Sequence, residues 1–239
     1  MSDLRRFFVE EIKEPLIIEG EEFRHAVNVL RIKETDKIIV CDNSGYEYTC
    51  EVKEINKKHL NLSILSKKAS ETEPKNDVML IFGYLKGDKS ELVVQKAVEL
   101  GVKDIVVFNS KYCSAYMNEN KLLRLNKVSM EASKQCGRAI APKVVYSDTF
   151  EGALNLGLKC ENRLFACEFA EKNQVDFKGL NGSTAVVIGS EGGFSKEESD
   201  LAYEKGYQTV YLGKRILRAE TASISLLSII MYSLSEFDS

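Results

Sequence analysis

The stretch TAVVIGSEGGFSKEE, Thr184–Glu198, decides the fold. An unbroken apolar run ends at Gly189, two adjacent glycines follow, and a helix start comes directly after them. Apolar runs of this kind belong to strands buried on both faces, as in parallel sheets. Gly192 and Gly193 permit backbone angles and close approaches that a side chain would block. Ser195 and Glu198 stand at capping-box spacing, so the next helix is expected to begin there. Such a loop lies at the carboxyl end of a strand, where open α/β sheets bind ligands. The helix amino end beyond it attracts an anion or a polarised group. A turn built for packing alone would read the same way, so the motif raises a ligand loop without deciding it.

The neighbouring chain repeats this texture. VMLIFGYL (Val78–Leu85), DIVVFNS, RLFACEF and QTVYLG read as further strands. Asp88 and Glu91 have capping-box spacing for a helix that Gly101 ends. Glu119 to Cys136 carries an apolar stripe of Leu122, Leu125, Val128, Ala132 and Cys136, and a last helix is expected from about Glu220 to Leu234. Strands alternating with helices predict a parallel sheet covered on both faces.

The amino-terminal part differs. KIIVCD, YEYTCEVKEI and HLNLSIL are short strands with Asn43–Gly45 as a turn, which together predict a small β-barrel. EEFRHAVNVLRI before them predicts a helix with Phe23, Val27 and Leu30 on one face and Arg24, Asn28 and Arg31 on another. The polar run SKKASETEPKND, with Pro74, marks the boundary between domains expected at 1–72 and 73–239.

Bulk properties exclude several classes. The 239 residues are 29% charged and 44% hydrophobic, ordinary for a soluble protein. The start, MSDLRRFFVEEIKEP, shows no secretory h-region, so a cytoplasmic protein is expected. ISLLSIIMYSL is too short to span a bilayer, and no membrane association is expected. Six cysteines form no CxxC pair and read as reduced, and two histidines, 34 residues apart, predict no metal site. The net charge of −3 argues against binding nucleic acid by bulk charge. Yet Gly83 to Lys143 holds eleven Lys or Arg against six Asp or Glu, a local excess of five. That is compatible with RNA contact and equally with a solvated, lysine-rich face.

Familiar catalytic signatures are missing. GYLKGDKS (Gly83–Ser90) lacks the spacing of a phosphate-cradling loop, and GxGxxG, GxSxG and HExxH do not occur at the relevant places. What remains is a set of loops that each begin where a strand stops: CEFAE (Cys167–Glu171), IGSEGGFS (Ile188–Ser195) and LGKRILRAETAS (Leu212–Ser223). Converging on one sheet edge, they would form a pocket. Arg218 has the rigid donor fork suited to a phosphate or carboxylate, or else pairs with Glu220 or another subunit.

With these segments quoted, a resemblance can be named. KGDKSELVVQKAVELGV (Lys86–Val102), EASKQCGRAIAPKV (Glu131–Val144), IGSEGGFS and LGKRILRAETA together resemble the bacterial RsmE family. These are 16S ribosomal RNA uridine N3-methyltransferases of the trefoil-knot (SPOUT) superfamily. RRFFV (Arg5–Val9) and HAVNVLRIK (His25–Lys33) resemble its amino-terminal segments, so the likeness runs over nearly the whole chain. The family usually has proline where this chain has Ser190. Proline would pre-set the loop, and serine leaves it looser.

The resemblance implies a carboxyl-terminal trefoil-knot methyltransferase domain behind a PUA/OB-like β-barrel. It implies S-adenosylmethionine as cofactor, a homodimer, and 16S rRNA in the 30S subunit as partner. Carried onto this chain, the cofactor falls to Glu168, to Ile188, Gly189, Glu191, Gly192 and Gly193, and to Leu212, Gly213, Ile216 and Leu217. Arg218 becomes the candidate catalytic group, with Glu191 as a weaker one. Arg5, Arg6, Arg24, Asn28, Arg31 and Arg138 are candidate RNA contacts. Uridine N3 carries a proton, which a carboxylate could remove or whose loss an arginine could ease by stabilising the anion; the residues do not choose. Two other readings stay open, a different acceptor (another base or a ribose 2′-hydroxyl) and a non-catalytic RNA-binding or assembly protein.

Overall fold

The structure, a computed structural model, describes residues 4–167 and 175–238. By contacts the chain divides into two compact units, Met1–Glu73 with Ser133–Ala141, and Pro74–Ala132 with Pro142–Ser239.

The first unit is a five-stranded sheet in the order β1-β3-β4-β5-β2, made of β1 (Arg6–Phe8), β2 (Leu16–Glu19), β3 (Lys37–Cys41), β4 (Tyr46–Ile55) and β5 (His59–Ala69). β1 runs parallel to β3 and the other pairs are antiparallel. Tyr48, Cys50 and Val52 alternate inward along β4 and meet Phe7, Ile18, Ile38 and Leu60 in one core. The β3–β4 turn uses left-handed Asn43 and Gly45, as its Asn-Ser-Gly sequence anticipates. The expected helix is shorter than its apolar pattern: α1 covers Gly20–Arg24 and widens into a π-helical turn at His25–Val29. There the Leu30 N–H donates to the His25 carbonyl over 3.0 Å.

The second unit is a six-stranded, all-parallel sheet in the order β11-β9-β10-β6-β7-β8. Its strands are β6 (Val78–Gly83), β7 (Asp104–Phe108), β8 (Val144–Ser147), β9 (Asn162–Ala166), β10 (Thr184–Ile188) and β11 (Gln208–Val210). The helices are α2 (Lys89–Glu99), α3 (Glu119–Cys136), α4 (Phe150–Gly157), α5 (Lys196–Glu204) and α6 (Ala219–Ser233). β8 and α4 escaped the sequence reading, β8 because it is short. Every residue of β6 and β10 is buried, which explains their unbroken apolar sequences. Ile81, Phe108, Phe165 and Val187 pack with Phe150 and Leu154 of α4 on one face. Leu80, Phe82 and Val186 alternate with them and are equally buried, so the opposite face is covered too. α6 lies against α2 and β10.

Two start signals turned out differently. Ser195 forms the full capping box, its hydroxyl accepting from the Glu198 N–H while the Glu198 carboxylate accepts from the Ser195 N–H. Asp88 makes no side-chain cap for α2. Beside it, the buried Ser90 hydroxyl instead accepts from the Leu85 N–H at 2.9 Å, turning the chain out of β6.

Candidate functional site

At the carboxyl ends of β9, β10 and β11 the second unit forms an open cavity of about 920 Å³. Its walls are Ala166 and Cys167 after β9, Ile188 to Gly193 after β10, and Val210 to Ala219 after β11, with Ala222 and Lys89 closing it. Parallel strands place all their carboxyl ends at one edge, so loops far apart in sequence meet there. Ile188, Gly189, Glu191, Gly192 and Gly193 line this cavity together with Leu212, Gly213, Ile216, Leu217 and Arg218. Glu168 lies outside the described residues.

The loop after β10 is held at both ends. Phe194, 2% exposed, inserts between Phe165 and Phe150, with ring centroids 4.4 and 5.6 Å away. The Gly193 N–H donates to the Ser190 carbonyl over 3.0 Å, and Gly193 sits at φ +67°. A Cβ on Gly192 would lie 2.5 Å from the Tyr112 carbonyl oxygen and 2.6 Å from its Cβ. The two glycines therefore serve different needs, Gly193 a left-handed backbone and Gly192 a close approach. At position 190, where the sequence leads one to expect a looser loop, the Ser190 hydroxyl is buried and lies 2.6 Å from the Ser110 hydroxyl. A hydrogen bond to the loop after β7 thus restrains a position that a ring would otherwise stiffen.

Glu191 is a clamp. Its carboxylate accepts from the Lys86 N–H at 3.0 Å and the Lys89 ammonium at 3.1 Å, and from the Ser114 hydroxyl at 3.4 Å. Burial pushes its carboxyl up, but the Lys86 and Glu191 N–H groups and Lys89 outweigh that and hold it below the usual carboxylate range. A carboxylate so stabilised is a weak proton acceptor near neutral pH. Its role here is to tie the loop after β10 to the loop after β6.

Arg218 precedes α6, is exposed, and lines the cavity mouth. The ion pair with Glu220 weighed from sequence is not formed among the described residues. Glu220 instead leaves Oε2 buried with no hydrogen-bond partner. The periodicity of the helix start gives no hint of this, because burial depends on what α6 packs against. Ile216 is 94% exposed, an apolar side chain held uncovered at the same mouth.

The candidate RNA residues separate by environment. Arg5, Arg24, Asn28 and Arg31 are exposed on the first unit. Arg6 is inward, its guanidinium 3.0 Å from Glu47 with both side chains under one-tenth exposed. Arg138 is 3% exposed and pairs with Glu73 at 2.9 Å, while the same carboxylate accepts from the Ala139 and Ile140 N–H groups. Both arginines hold internal carboxylates. Among the described residues no helix is long and apolar enough to cross a membrane, and no group of His, Cys, Asp and Glu could hold a metal.

Residues 71–231 match the family model described as RNA methyltransferase domain, and residues 18–65 the one described as RNA methyltransferase PUA domain. A ribosomal RNA small subunit methyltransferase E of Mesomycoplasma hyopneumoniae is 36% identical over 93% of this chain and 97% of its own. The chain belongs to the ribosomal RNA small subunit methyltransferase E family. The Bacillus subtilis member is 30% identical over 96% of each chain. The crystal structure of the Neisseria gonorrhoeae member, bound to S-adenosylmethionine, superposes with a TM-score of 0.85 at 26% identity, covering 97% of this chain and 98% of its own. A Legionella pneumophila methyltransferase solved with the same cofactor gives 0.87 at 26% identity, over 96% and 98%. The α/β architecture of this family member, a PUA domain ahead of the parallel-sheet domain, agrees with the sequence expectation.

Proposed function

We propose that the protein transfers a methyl group from S-adenosylmethionine to N3 of a uridine in 16S rRNA of the small ribosomal subunit. The observation that carries this reading is the meeting of the Gly192–Gly193 loop and the Leu212–Arg218 loop around one strand-end cavity. The solved relatives with bound cofactor support it.

The cavity fits the group. Its volume suits a nucleoside-sized ligand, and Ile188, Val210, Leu212, Ile216 and Leu217 offer apolar walls for an adenine ring. Burying exposed Ile216 against that ring would stabilise the complex. The cofactor carries an ammonium and a sulfonium, and the orphaned Glu220 oxygen lies in a helix turn flanked by cavity-lining Ala219 and Ala222. When bound, S-adenosylmethionine supplies an electrophilic methyl group. The chain binds, aligns and excludes water. Arg218, at the mouth and without an ion pair among the described residues, would face the uracil carbonyl oxygens and stabilise the charge that develops as N3 loses its proton.

The rest of the reading follows from the resemblance and the topology. Residues 1–72 act as the RNA-binding domain and 73–239 as the transferase domain, save that Glu73 and Ser133–Ala141 group with the first unit. Arg5, Arg24, Asn28 and Arg31 meet phosphates. β11 lies beyond β9 while α6 packs against β10, an order compatible with the knot that the resemblance implies. The homodimer implied by the resemblance would cover Tyr232 and Ile229 of α6, which are 69% and 39% exposed. Action on ribosomal RNA places the protein in the cytoplasm.

The test incubates the protein with labelled S-adenosylmethionine and small subunits lacking the modification, then maps the product by nuclease digestion and mass spectrometry. 3-Methyluridine is expected. A 2′-O-methyl product would replace the acceptor, and cofactor binding without any transfer would leave an RNA-binding protein. Sedimentation should give about twice 26.9 kDa; a monomer at micromolar concentration would remove the interface.

A further inference from the structure

The loop between β7 and α3, residues 109–118, lies against the cavity wall at Gly192. It is fastened to the loop after β10 at several points. The Ser110 hydroxyl meets Ser190 at 2.6 Å, the Lys111 N–H donates to Glu198 at 3.0 Å, and Ser114 donates to Glu191 at 3.4 Å. Its own interior is pinned by the Met117 N–H on Asn109 Oδ1 at 2.8 Å, with Cys113 and Met117 turned inward. A loop anchored this firmly has no need to leave large rings in water. Tyr112 and Tyr116 are nevertheless 51% and 65% exposed.

Tyr112 also sits where such a ring could matter. Its backbone and Cβ lie against Gly192, a wall of the cavity. The charges beside it are already matched: Lys111 pairs with Glu197 at 3.1 Å and Lys89 with Glu191 at 3.1 Å. Beside Tyr112 the loop therefore offers a partner aromatic surface more than free positive charge. Near Tyr116 the Lys121 ammonium donates to the Tyr116 carbonyl and pairs with no carboxylate among the described residues. Aromatic rings exposed on an anchored loop, one of them against a cavity wall, suit the faces of unstacked bases, the form in which single-stranded RNA segments are recognised. A lipid surface or a basic patch for phosphates would need charge that Lys89 and Lys111 do not have to spare.

We propose that Tyr112 and Tyr116 form a stacking platform for the nucleotides flanking the target base, and so determine how the RNA is presented to the cavity. This rests on the RNA methyltransferase reading above. Tyr112 stacks nearest the target, because it touches the cofactor loop. Tyr116, four residues further on, takes the next exposed base.

The variants are Tyr112→Ala, Tyr112→Phe and Tyr116→Ala, each checked by a melting curve, since both rings are exposed and their loss should leave the fold intact. The KM for small subunits lacking the modification, and retention of labelled small-subunit rRNA on filters, should both weaken roughly tenfold with Tyr112→Ala, within the range found for base–ring stacking. Phenylalanine should restore both, because the ring and not the hydroxyl acts. Binding of S-adenosylmethionine by calorimetry should stay unchanged. Unchanged RNA affinity in folded Tyr112→Ala and Tyr116→Ala proteins overturns the platform. Phenylalanine as damaging as alanine overturns stacking, and loss of cofactor affinity instead of RNA affinity reduces Tyr112 to a support for Gly192. If the wild-type protein binds rRNA but transfers no methyl group, the reading above fails while the filter arm still decides the platform.

Discussion

Replacing Gly192 with alanine tests whether the cofactor loop depends on its contact with the loop after β7. Gly192 has no positive φ, so the substitution adds no backbone strain and the effect is steric alone. The new methyl would stand 2.5 Å from the Tyr112 carbonyl oxygen and 2.6 Å from the Tyr112 Cβ, neither of which can rotate away. One loop must move. Ser110 on Ser190 and the Lys111 N–H on Glu198 tie the two loops to each other, so displacing either one strains these bonds. Overpacking of one methyl group typically costs about 1–3 kcal/mol. If that appears in closure around the ligand, S-adenosylmethionine binds roughly 5- to 150-fold more weakly, at about 1.4 kcal/mol per factor of ten. If it appears in the apo protein, the melting temperature falls by about 2–4 °C per kcal/mol. Calorimetry beside a thermal melt separates the two. Alanine with unchanged affinity and unchanged melting temperature would refute the coupling of the loops.

Arg218→Ala and Arg218→Lys should each lower single-turnover methylation of small subunits about tenfold or more, with cofactor affinity little changed, since an arginine fork acts mainly on developing charge; a wild-type rate in folded Arg218→Ala removes it from the chemistry. The Glu191 clamp makes a pH prediction: its folded carboxyl lies below the ordinary value of about 4.3. Its contribution is complete above that value and is lost as pH falls through the lower folded one. Cofactor affinity should show this acid limb in the native protein and not in Glu191→Gln, and a limb centred above the ordinary value contradicts the clamp. Burial pushes the Cys41 thiol up to about 11, against the opposing pull of Arg6, and Cys50 up to about 12. Neither should react with iodoacetamide in the native protein at about pH 8, and labelling of either before unfolding would show that the first unit opens.

What could be read along the chain is what near neighbours determine. The Ser195–Glu198 cap spans three residues, and the buried run of β10 announces its two-sided burial by having no polar alternation. The Gly192–Gly193 and Leu212–Arg218 loops were legible as strand-end loops for the same reason. Their convergence on one sheet edge was expected as well, but the neighbours that bring it about are set by the strand order β11-β9-β10-β6. Glu191 looked like a pocket carboxylate; its clamp on the Lys86 N–H crosses 105 residues of sequence. Arg6 and Arg138 looked like RNA contacts, and only packing turned their guanidinium groups onto Glu47 and Glu73. A side chain's charge is local, but whether that charge faces water or an internal carboxylate depends on distant segments. The sequence by itself determined the long buried strands, the loop glycines and the Ser195 helix start. Tertiary structure decided which loops touch, which charges are spent inside, and which rings are left for a partner.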